Sequence, residues 1–410
     1  MKILFVSPRF PYPPKKGDQL RAYNQMKGLK ALGHEVHLIS FGNQQPIPNE
    51  VRQLCSKVTI VPFSKRTAVR NMFLGLFKKW PLQTSLYYSN KLLQILRIET
   101  SKEQYDIVHH QLVRLYPYQS SINHVPNVID FVDSISLNLK RSAQLKKSLI
   151  NPLTRWEAKN VHNMEQVASS RYDGGIFISD IDKNNVSLNR DTLTTIANGV
   201  DLEYFSYQKH LTTKNNIVFV GNMSYSPNRA GVKYFIKHIF PLIKEKLEDF
   251  TFYVVGRNPT KDLIRLCEKH KNIVLTGEVD DVRKYLWNAK LFVCPLKSGA
   301  GLQNKVLEAM SCGTPVITTS IVSEPIKAKD NQSIIVRDRD EEFAEKIIEL
   351  LSDPMKLNDV RKEARTFVET NYKWEHLNHQ LIDFYNMTIS KHISKKIPTP
   401  PKEIKAEVIG

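Results

Sequence analysis

The segment CPLKSGAGLQNKVLEAMSCGTPVITT, residues 294–319, gathers the residue types needed to hold a diphosphate. A short apolar run ends at Cys294-Pro295, a loop with Gly299 and Gly301 follows, and a helical pattern begins near Gln303. Free backbone N–H groups at a helix N-terminus attract anions, and glycines let phosphate oxygens approach the main chain. Lys305 and Glu308 are three residues apart and share one helix face. The lysine could neutralise a phosphate, and the glutamate could accept hydrogen bonds from ribose hydroxyls. The competing reading is a plain strand–loop–helix turn with a surface Lys–Glu pair. The glycines alone would favour that reading; the whole pattern reverses the balance.

The first half offers further candidates. YDIVHHQL (105–112) puts His109 and His110 at the end of a strand, either facing a cleft or bonded to a nearby carbonyl. Asp130 and Asp133 in VIDFVDS end another strand, where one could meet an acceptor and the other cap the next helix. Asp18 and Arg21, one turn apart, suit either a salt bridge at the helix start or contact with a phosphorylated acceptor. The stretch SKRTAVRNMFLGLFKKWPLQ (64–83) mixes Lys65, Arg66, Arg70, Lys78 and Lys79 with Met72, Phe73, Leu74, Leu76, Phe77 and Trp80. A basic amphipathic helix of this kind suits an anionic bilayer surface, and a core-facing helix with a solvated basic face is the alternative. Lys140-Arg141 and Lys146-Lys147 form a second basic cluster.

The elements that must position these residues are legible as alternation. Short β-branched runs at Lys2–Val6, Glu35–Ile39, Val58–Val61, Ile107–His109, Asn127–Phe131 and Gly175–Ile178 are separated by helical patterns such as Gln19–Leu32 and Asn163–Ser170. The alternation restarts at Asn216–Val220, Thr251–Val255, Ile273–Leu275, Leu291–Cys294, Val316–Thr318 and Ser333–Val336, with helices at Ala230–Lys246, Thr260–Lys269, Lys305–Ser311 and Asp340–Leu351. Such alternation builds parallel sheets, so two doubly wound α/β domains are expected, facing each other across a cleft. The boundaries expected are 1–205 for the first domain, 206–372 for the second, 373–388 for a closing helix and 389–410 for a disordered tail. Ligands of such sheets bind at the carboxyl ends of the strands.

Length and composition agree. The 410 residues suit two domains, and 41% apolar with 24% charged residues excludes collagen-like, wholly disordered and integral-membrane classes. The 59 Lys+Arg outnumber the 41 Asp+Glu by 18, and residues 1–200 carry +13 of that excess. An anionic partner is therefore sought first in the N-terminal half. Cys55, Cys267, Cys294 and Cys312 form no CxxC pair, which suggests neither a disulfide framework nor a zinc site. The apolar run at the start is too short for a signal peptide, and no stretch is long enough to span a bilayer. A cytoplasmic protein is expected, with any membrane contact peripheral, at the inner face. Nucleic acid is the weaker partner reading, since no helix-turn-helix, zinc-finger or aromatic sheet-platform signature accompanies the charge.

SGAGLQNKVLEAMSCGTPVI closely resembles the donor-site signature of family 4 retaining glycosyltransferases of GT-B fold. Further matches follow the family's order: SPRFPYPPKKGDQLRAYNQMKGLKALGHEVHLIS (7–40), IANGVDLEYF (196–205), FVGNMSYSPNRAGVKYF (219–235), FYVVGRNP (252–259) and LTGEVDDVRKYLWNAKLFVCP (275–295). The combination PYPPxKGDxxR is similar to a subgroup associated with bacterial exopolysaccharide and cell-envelope sugar transfer. The resemblance implies that Glu308 binds the nucleotide ribose and that Gly301, Leu302 and Gln303 present amides to the diphosphate. It also implies that Glu278 and Val279 border the base, that Gly221 and Asn222 belong to the opening loop of the donor domain, and that Gly17 approaches the donor phosphates or the acceptor. A histidine near 109 and 110 would contact the donor sugar, although the usual position corresponds to Gln111.

Two departures stand out. The family's second glutamate, eight residues before Glu308, is Ala300 here, with Ser298 the nearest polar side chain. The usual Arg and Lys after the first strand of the second domain are absent from GNMSYSPN, so Lys305 and Arg257 are expected to supply the positive charge. The expected activity is retaining, metal-independent transfer of a sugar from a nucleotide-diphosphate donor to a glycan or lipid-linked sugar acceptor. No cofactor is expected, and Asp280-Asp281 is no convincing metal motif. A nucleotide-sugar epimerase on the same fold would need acid/base residues that the sequence does not identify. A silent membrane-associated scaffold would show no donor hydrolysis dependent on Glu308.

Overall fold

The computed structural model describes residues 1–43, 46–77, 80–145, 151–186, 190–208, 212, 214–299 and 301–396. Lys78, Lys79, Lys146, Lys147, Ala300 and residues 397–410, all invoked above, lie outside the described residues.

The alternating pattern folds into two parallel sheets. The first comprises β1 (Lys2–Ser7), β2 (Glu35–Gly42), β3 (Lys57–Pro62), β4 (Ile107–Gln111), β5 (Asn127–Val132), β6 (Gly174–Phe177) and β7 (Leu193–Thr195), in the order β3-β2-β1-β4-β5-β6-β7. The second comprises β8 (Asn216–Val220), β9 (Thr251–Val255), β10 (Ile273–Gly277), β11 (Leu291–Cys294), β12 (Val316–Thr318) and β13 (Ile335–Val336), in the order β10-β9-β8-β11-β12-β13. Helices cover both faces, so central strands such as β5 and β8 are buried at every residue, which is why β8 is apolar from Ile217 to Val220 and why Asp130, the one charge in β5, needs a partner within the fold. In each sheet the order reverses beside the first strand, between β1 and β4 and between β8 and β11. The loops leaving those strands part to opposite faces and open a crevice.

The linker after β7 packs on the second domain. Ser311 Oγ donates to the Phe205 carbonyl at 2.7 Å, and Trp287 Nε1 donates to that of Ser206 at 2.9 Å. Gly313 has a φ of 76°, and a Cβ there would come within 2.5 Å of the Tyr207 ring, so the turn after the donor-type helix requires glycine.

The closing helix departs from expectation. It runs Trp374–Lys396, so residues 389–396, expected as tail, are helical. It also returns to the first domain, where Leu377, Leu381, Phe384 and Tyr385 share a core with Ile3, Phe5 and Met26. The stretch 64–83 is a helix at Lys65–Phe77 and another at Leu82–Leu86, separated at Pro81. Helices at Asn90–Lys102, Ile135–Leu145 and Pro354–Asn371 escaped the sequence reading.

Candidate active site between the two sheets

On the second sheet, four loops converge at the carboxyl edge. Gly256, after β9, has a φ of 145°, and a Cβ on it would sit 1.9 Å from the Gly221 carbonyl oxygen after β8. Only glycine permits that approach. Asn228 then ties this edge to the helix Asn304–Ser311. Its Nδ2 donates to the Asn222 carbonyl at 3.0 Å, and its Oδ1 accepts from Lys305 Nζ. The Lys305 ammonium also lies 4.5 Å from the Phe219 ring centroid. Lys305 is thus a fixed, half-buried cation, and burial lowers its pKa.

One turn further, the Glu308 carboxylate accepts no hydrogen bond from the described residues. Burial pushes its pKa up to about 7, with Lys305 opposing the rise. The preceding loop carries Gly299 and Gly301 at φ 118° and 80°, conformations that L side chains rarely adopt. Leu302 is buried in the core of the second domain, and Gln303 stands at the N-cap with Nε2 donating to the Gly301 carbonyl at 3.4 Å. Arg257, beside Gly256, is half-exposed, and its guanidinium bonds no described residue. Gly277 accepts from the Gly256 amide at 3.0 Å, which sets exposed Glu278 and half-buried Val279 on the same edge. These contacts join the loops after β8, β9 and β10, and Asn228, which no sequence motif singles out, ties them to the helix that carries Lys305 and Glu308.

The first sheet faces this edge. A Cβ at Gly301 would lie 3.5 Å from Ile178, 3.8 Å from Asp133 and 3.9 Å from Asp182. Asn198 Nδ2 donates to Asn304 Oδ1 across the domains at 3.3 Å. Asp133 accepts from Asn138 Nδ2 at 2.6 Å, and burial together with Asp182 raises its pKa to about 6. Gly17 opens the helix Gly17–Ala31 with open space around it.

Several first-domain candidates are instead consumed by the fold. His109 and His110 are fully buried, because β4 runs between β1 and β5 with both faces covered. His109 Nδ1 pairs with the Tyr385 hydroxyl at 2.7 Å and the ring stacks on Phe5 at 4.3 Å. His110 Nδ1 pairs with the Tyr172 hydroxyl at 2.8 Å. Burial depresses both imidazoles, to about 4 and about 3, so both are neutral. Neither reaches the crevice here, and both are withdrawn as catalytic candidates. Gln111 is held between Ser7 Oγ at 2.9 Å and the Asp18 carbonyl at 2.7 Å. Asp130 forms a buried ion pair with Arg21 Nε at 2.6 Å, both fully inaccessible. Asp18 pairs with Arg9 at 2.8 Å rather than with Arg21.

Two facing doubly wound sheets, with a glycine-turned loop and a fixed Lys–Glu face at the crevice, define a two-domain α/β protein with a candidate site between its sheets. Sequence comparison specifies it further. The family described as Glycosyltransferase Family 4 matches residues 17–204, and that described as Glycosyl transferases group 1 matches residues 214–353. The chain belongs to these glycosyltransferases, in the GT-B fold. An uncharacterised 44.6 kDa protein of the cps region of Klebsiella pneumoniae is 21% identical, covering 90% of this chain and 96% of its own. Among solved structures, sucrose-phosphate synthase from Thermosynechococcus elongatus superposes with a TM-score of 0.70 at 16% identity, covering 95% of this chain and 100% of its own. Anabaena HepE in complex with UDP and glucose superposes with a TM-score of 0.67 at 14% identity, covering 94% and 99%. Among the described residues no group of three or more His, Cys, Asp or Glu could hold a metal ion, and no helix is long and apolar enough to cross a membrane.

Proposed function

We propose that this glycosyltransferase moves a sugar from a nucleotide-diphosphate donor to a saccharide acceptor with retention of configuration, in the synthesis of an extracellular or cell-envelope polysaccharide. The observation that carries the reading is the face formed by Lys305, anchored through Asn228, and Glu308, whose carboxylate is uncommitted. Glu308 takes the ribose hydroxyls. Gly299, Gly301, Leu302 and Gln303 lead the main chain past the diphosphate, and Glu278 and Val279 border the base. Lys305 and Arg257 neutralise the charge that develops on the leaving diphosphate, a task that fixed cations can perform without a resident metal. The acceptor oxygen attacks C1 from the face the diphosphate leaves. The C1–O bond to phosphate breaks, the new C1–O bond forms, and the acceptor proton passes to a diphosphate oxygen. Positioning by the two facing edges supplies most of the rate. The HepE complex and the cps-region relative support a UDP-sugar donor and a polysaccharide pathway.

Lys305→Ala is expected to lower donor-dependent turnover about 100-fold or more. Full turnover by that variant would overturn the assignment of Lys305. Anomer analysis of the product by NMR tests retention, and turnover after chelation tests metal independence.

The first domain is also proposed to rest on an anionic membrane at the inner face. On the helix Lys65–Phe77, Val69, Phe73 and Phe77 are 53%, 64% and 88% exposed, beside exposed Arg66 and Arg70. Trp80 takes no part in this face, since it packs on Tyr88 at 5.4 Å. Co-sedimentation with phosphatidylglycerol vesicles should fall with salt and with Phe73→Ser/Phe77→Ser.

A further inference from the structure

Beyond the donor crevice, the first sheet carries a basin that none of the expected site residues explains. It is a cavity of about 460 Å³ at the carboxyl ends of β1, β2 and β3. One wall is aromatic: Phe41, Phe63 and Tyr87 touch one another with ring centroids 5.6 to 6.1 Å apart. The rim beside it is cationic. Arg9 is fixed by Nη1 bonds to both carboxylate oxygens of Asp18, at 3.1 and 2.8 Å, and by an Nε bond to the Tyr87 hydroxyl at 3.3 Å. Its Nη2 bonds no described residue. Lys16, exposed at the N-cap of Gly17–Ala31, has no partner among the described residues.

We infer that this basin seats an anionic saccharide acceptor, with the sugar ring on the Phe63–Tyr87 wall and its phosphate or carboxylate on Arg9 Nη2 and Lys16. The inference rests on the transferase reading above and adds the class of acceptor. Aromatic walls take the C–H face of a sugar, and a guanidinium held in place loses little entropy in gripping an oxyanion. The position suits an acceptor. Three strand spacings, about 14 Å, separate β2 from β5, whose following loop meets the Gly301 turn. A saccharide anchored in the basin can therefore extend a hydroxyl toward the donor. The +13 excess of the first 200 residues attracts the same ligands. A free phosphosugar, a uronic acid and a diphosphate-linked sugar on a lipid share this chemistry.

Ligand-observed NMR titration of the full chain with glucose 1-phosphate, glucuronic acid, glucose, inorganic phosphate and a short-prenyl diphosphate-linked glucose tests it. The two soluble anionic sugars are expected to bind at least 10-fold more tightly than glucose or phosphate alone. Arg9→Gln should erase that preference and Lys16→Ala should weaken it about threefold, while UDP affinity stays unchanged in both. Lys16 is exposed on a loop, so its variant reports even if Arg9→Gln disturbs the fold. Tighter binding of the prenyl-linked sugar than of glucose 1-phosphate upholds the proposal with a lipid-borne acceptor, and equal binding upholds it with a soluble one. Equal affinity for glucose and glucose 1-phosphate, phosphate binding as well as the phosphosugar, or an unaltered preference in both variants would overturn it. Failure of the transferase reading would show differently, as UDP binding that ignores Glu308→Gln.

Discussion

The two halves repeat one topology and use their polar residues in opposite ways. In the second domain, the charged groups at the carboxyl edge are held from behind and left uncommitted in front. Lys305 is anchored through Asn228, while the Glu308 carboxylate and the Arg257 guanidinium bond none of the described residues. In the first domain, the charged and imidazole groups at the matching strand ends are paired inward: Asp130 with Arg21, His109 with Tyr385, His110 with Tyr172. Residue type at a strand end therefore does not distinguish a ligand contact from a structural pair. What distinguishes them is whether the residue lies within a strand flanked on both sides and both faces, as His109, His110 and Asp130 do in β4 and β5, or beyond the strand in a loop or helix, as Arg257, Lys305 and Glu308 do.

Substitutions should separate the halves sharply. Arg21→Ala leaves Asp130 buried without its cation, and is expected to cost about 3–5 kcal/mol in urea unfolding. It should also disturb the linker, because Arg21 Nη1 donates to the Ala197 carbonyl at 3.1 Å and to Asn198 Oδ1 at 3.0 Å. Glu308→Gln should do the reverse, lowering UDP affinity about 10- to 100-fold with no loss of stability at neutral pH. The pH dependence carries the same contrast. If Glu308 takes the ribose as proposed, its hydroxyls donate to the ionised carboxylate, so UDP affinity should rise as pH passes through about 7 and should be flat in Glu308→Gln. Stability runs the other way. The folded chain keeps the Glu308 proton to higher pH than the unfolded chain, so its contribution is full below about pH 4.5 and is lost as pH rises through about 7. Calorimetric melting across that window, wild type against variant, measures the slope.

The same asymmetry explains what could be read from the sequence. β8, β9, β11 and β12 begin and end where the residue pattern places them, because short β-branched runs bounded by Gly, Pro or Asn leave no choice of register. The donor-type loop was legible because glycines at positive φ and a helix N-terminus are local features. β7 was not, being three residues long, and neither was the helix Ile135–Leu145, whose first apolar residues, Ile135, Leu137 and Leu139, alternate as in a strand. Pro354–Asn371 did carry a signal: Asp353 caps it, accepting from Met355 and Lys356 at 3.1 Å, with Pro354 at its first position. His109 was misread for a non-local reason. Its partner Tyr385 lies 276 residues away on a helix that crosses back from the second domain, and no local pattern announces that return.

A smaller effect tests the reassignment of the histidines directly. His110→Phe removes the partner of the buried Tyr172 hydroxyl and should cost about 1–2 kcal/mol of stability. Turnover per folded molecule should not change between pH 5 and 8, because an imidazole with a pKa near 3 does not titrate there. A loss of kcat at unchanged stability would restore His110 to the site.

The smallest effect concerns the contact between the halves. Asn198 is held by Arg21 on one side and donates to Asn304 at 3.3 Å on the other, so a single side chain links the buried pair of the first domain to the first turn of the donor helix. Asn304→Ala removes that bond, worth about 0.5–1.5 kcal/mol, while alanine's better helix propensity returns about 0.5 kcal/mol. Global stability should hardly move. The consequence should fall on the alignment of the two edges, and hence on kcat, which is expected to drop a few-fold with UDP affinity unchanged. If UDP affinity fell in proportion to kcat, Asn304 would belong to the nucleotide site of the second domain alone. If neither moved, the halves would be aligned by the linker and the closing helix without this bond.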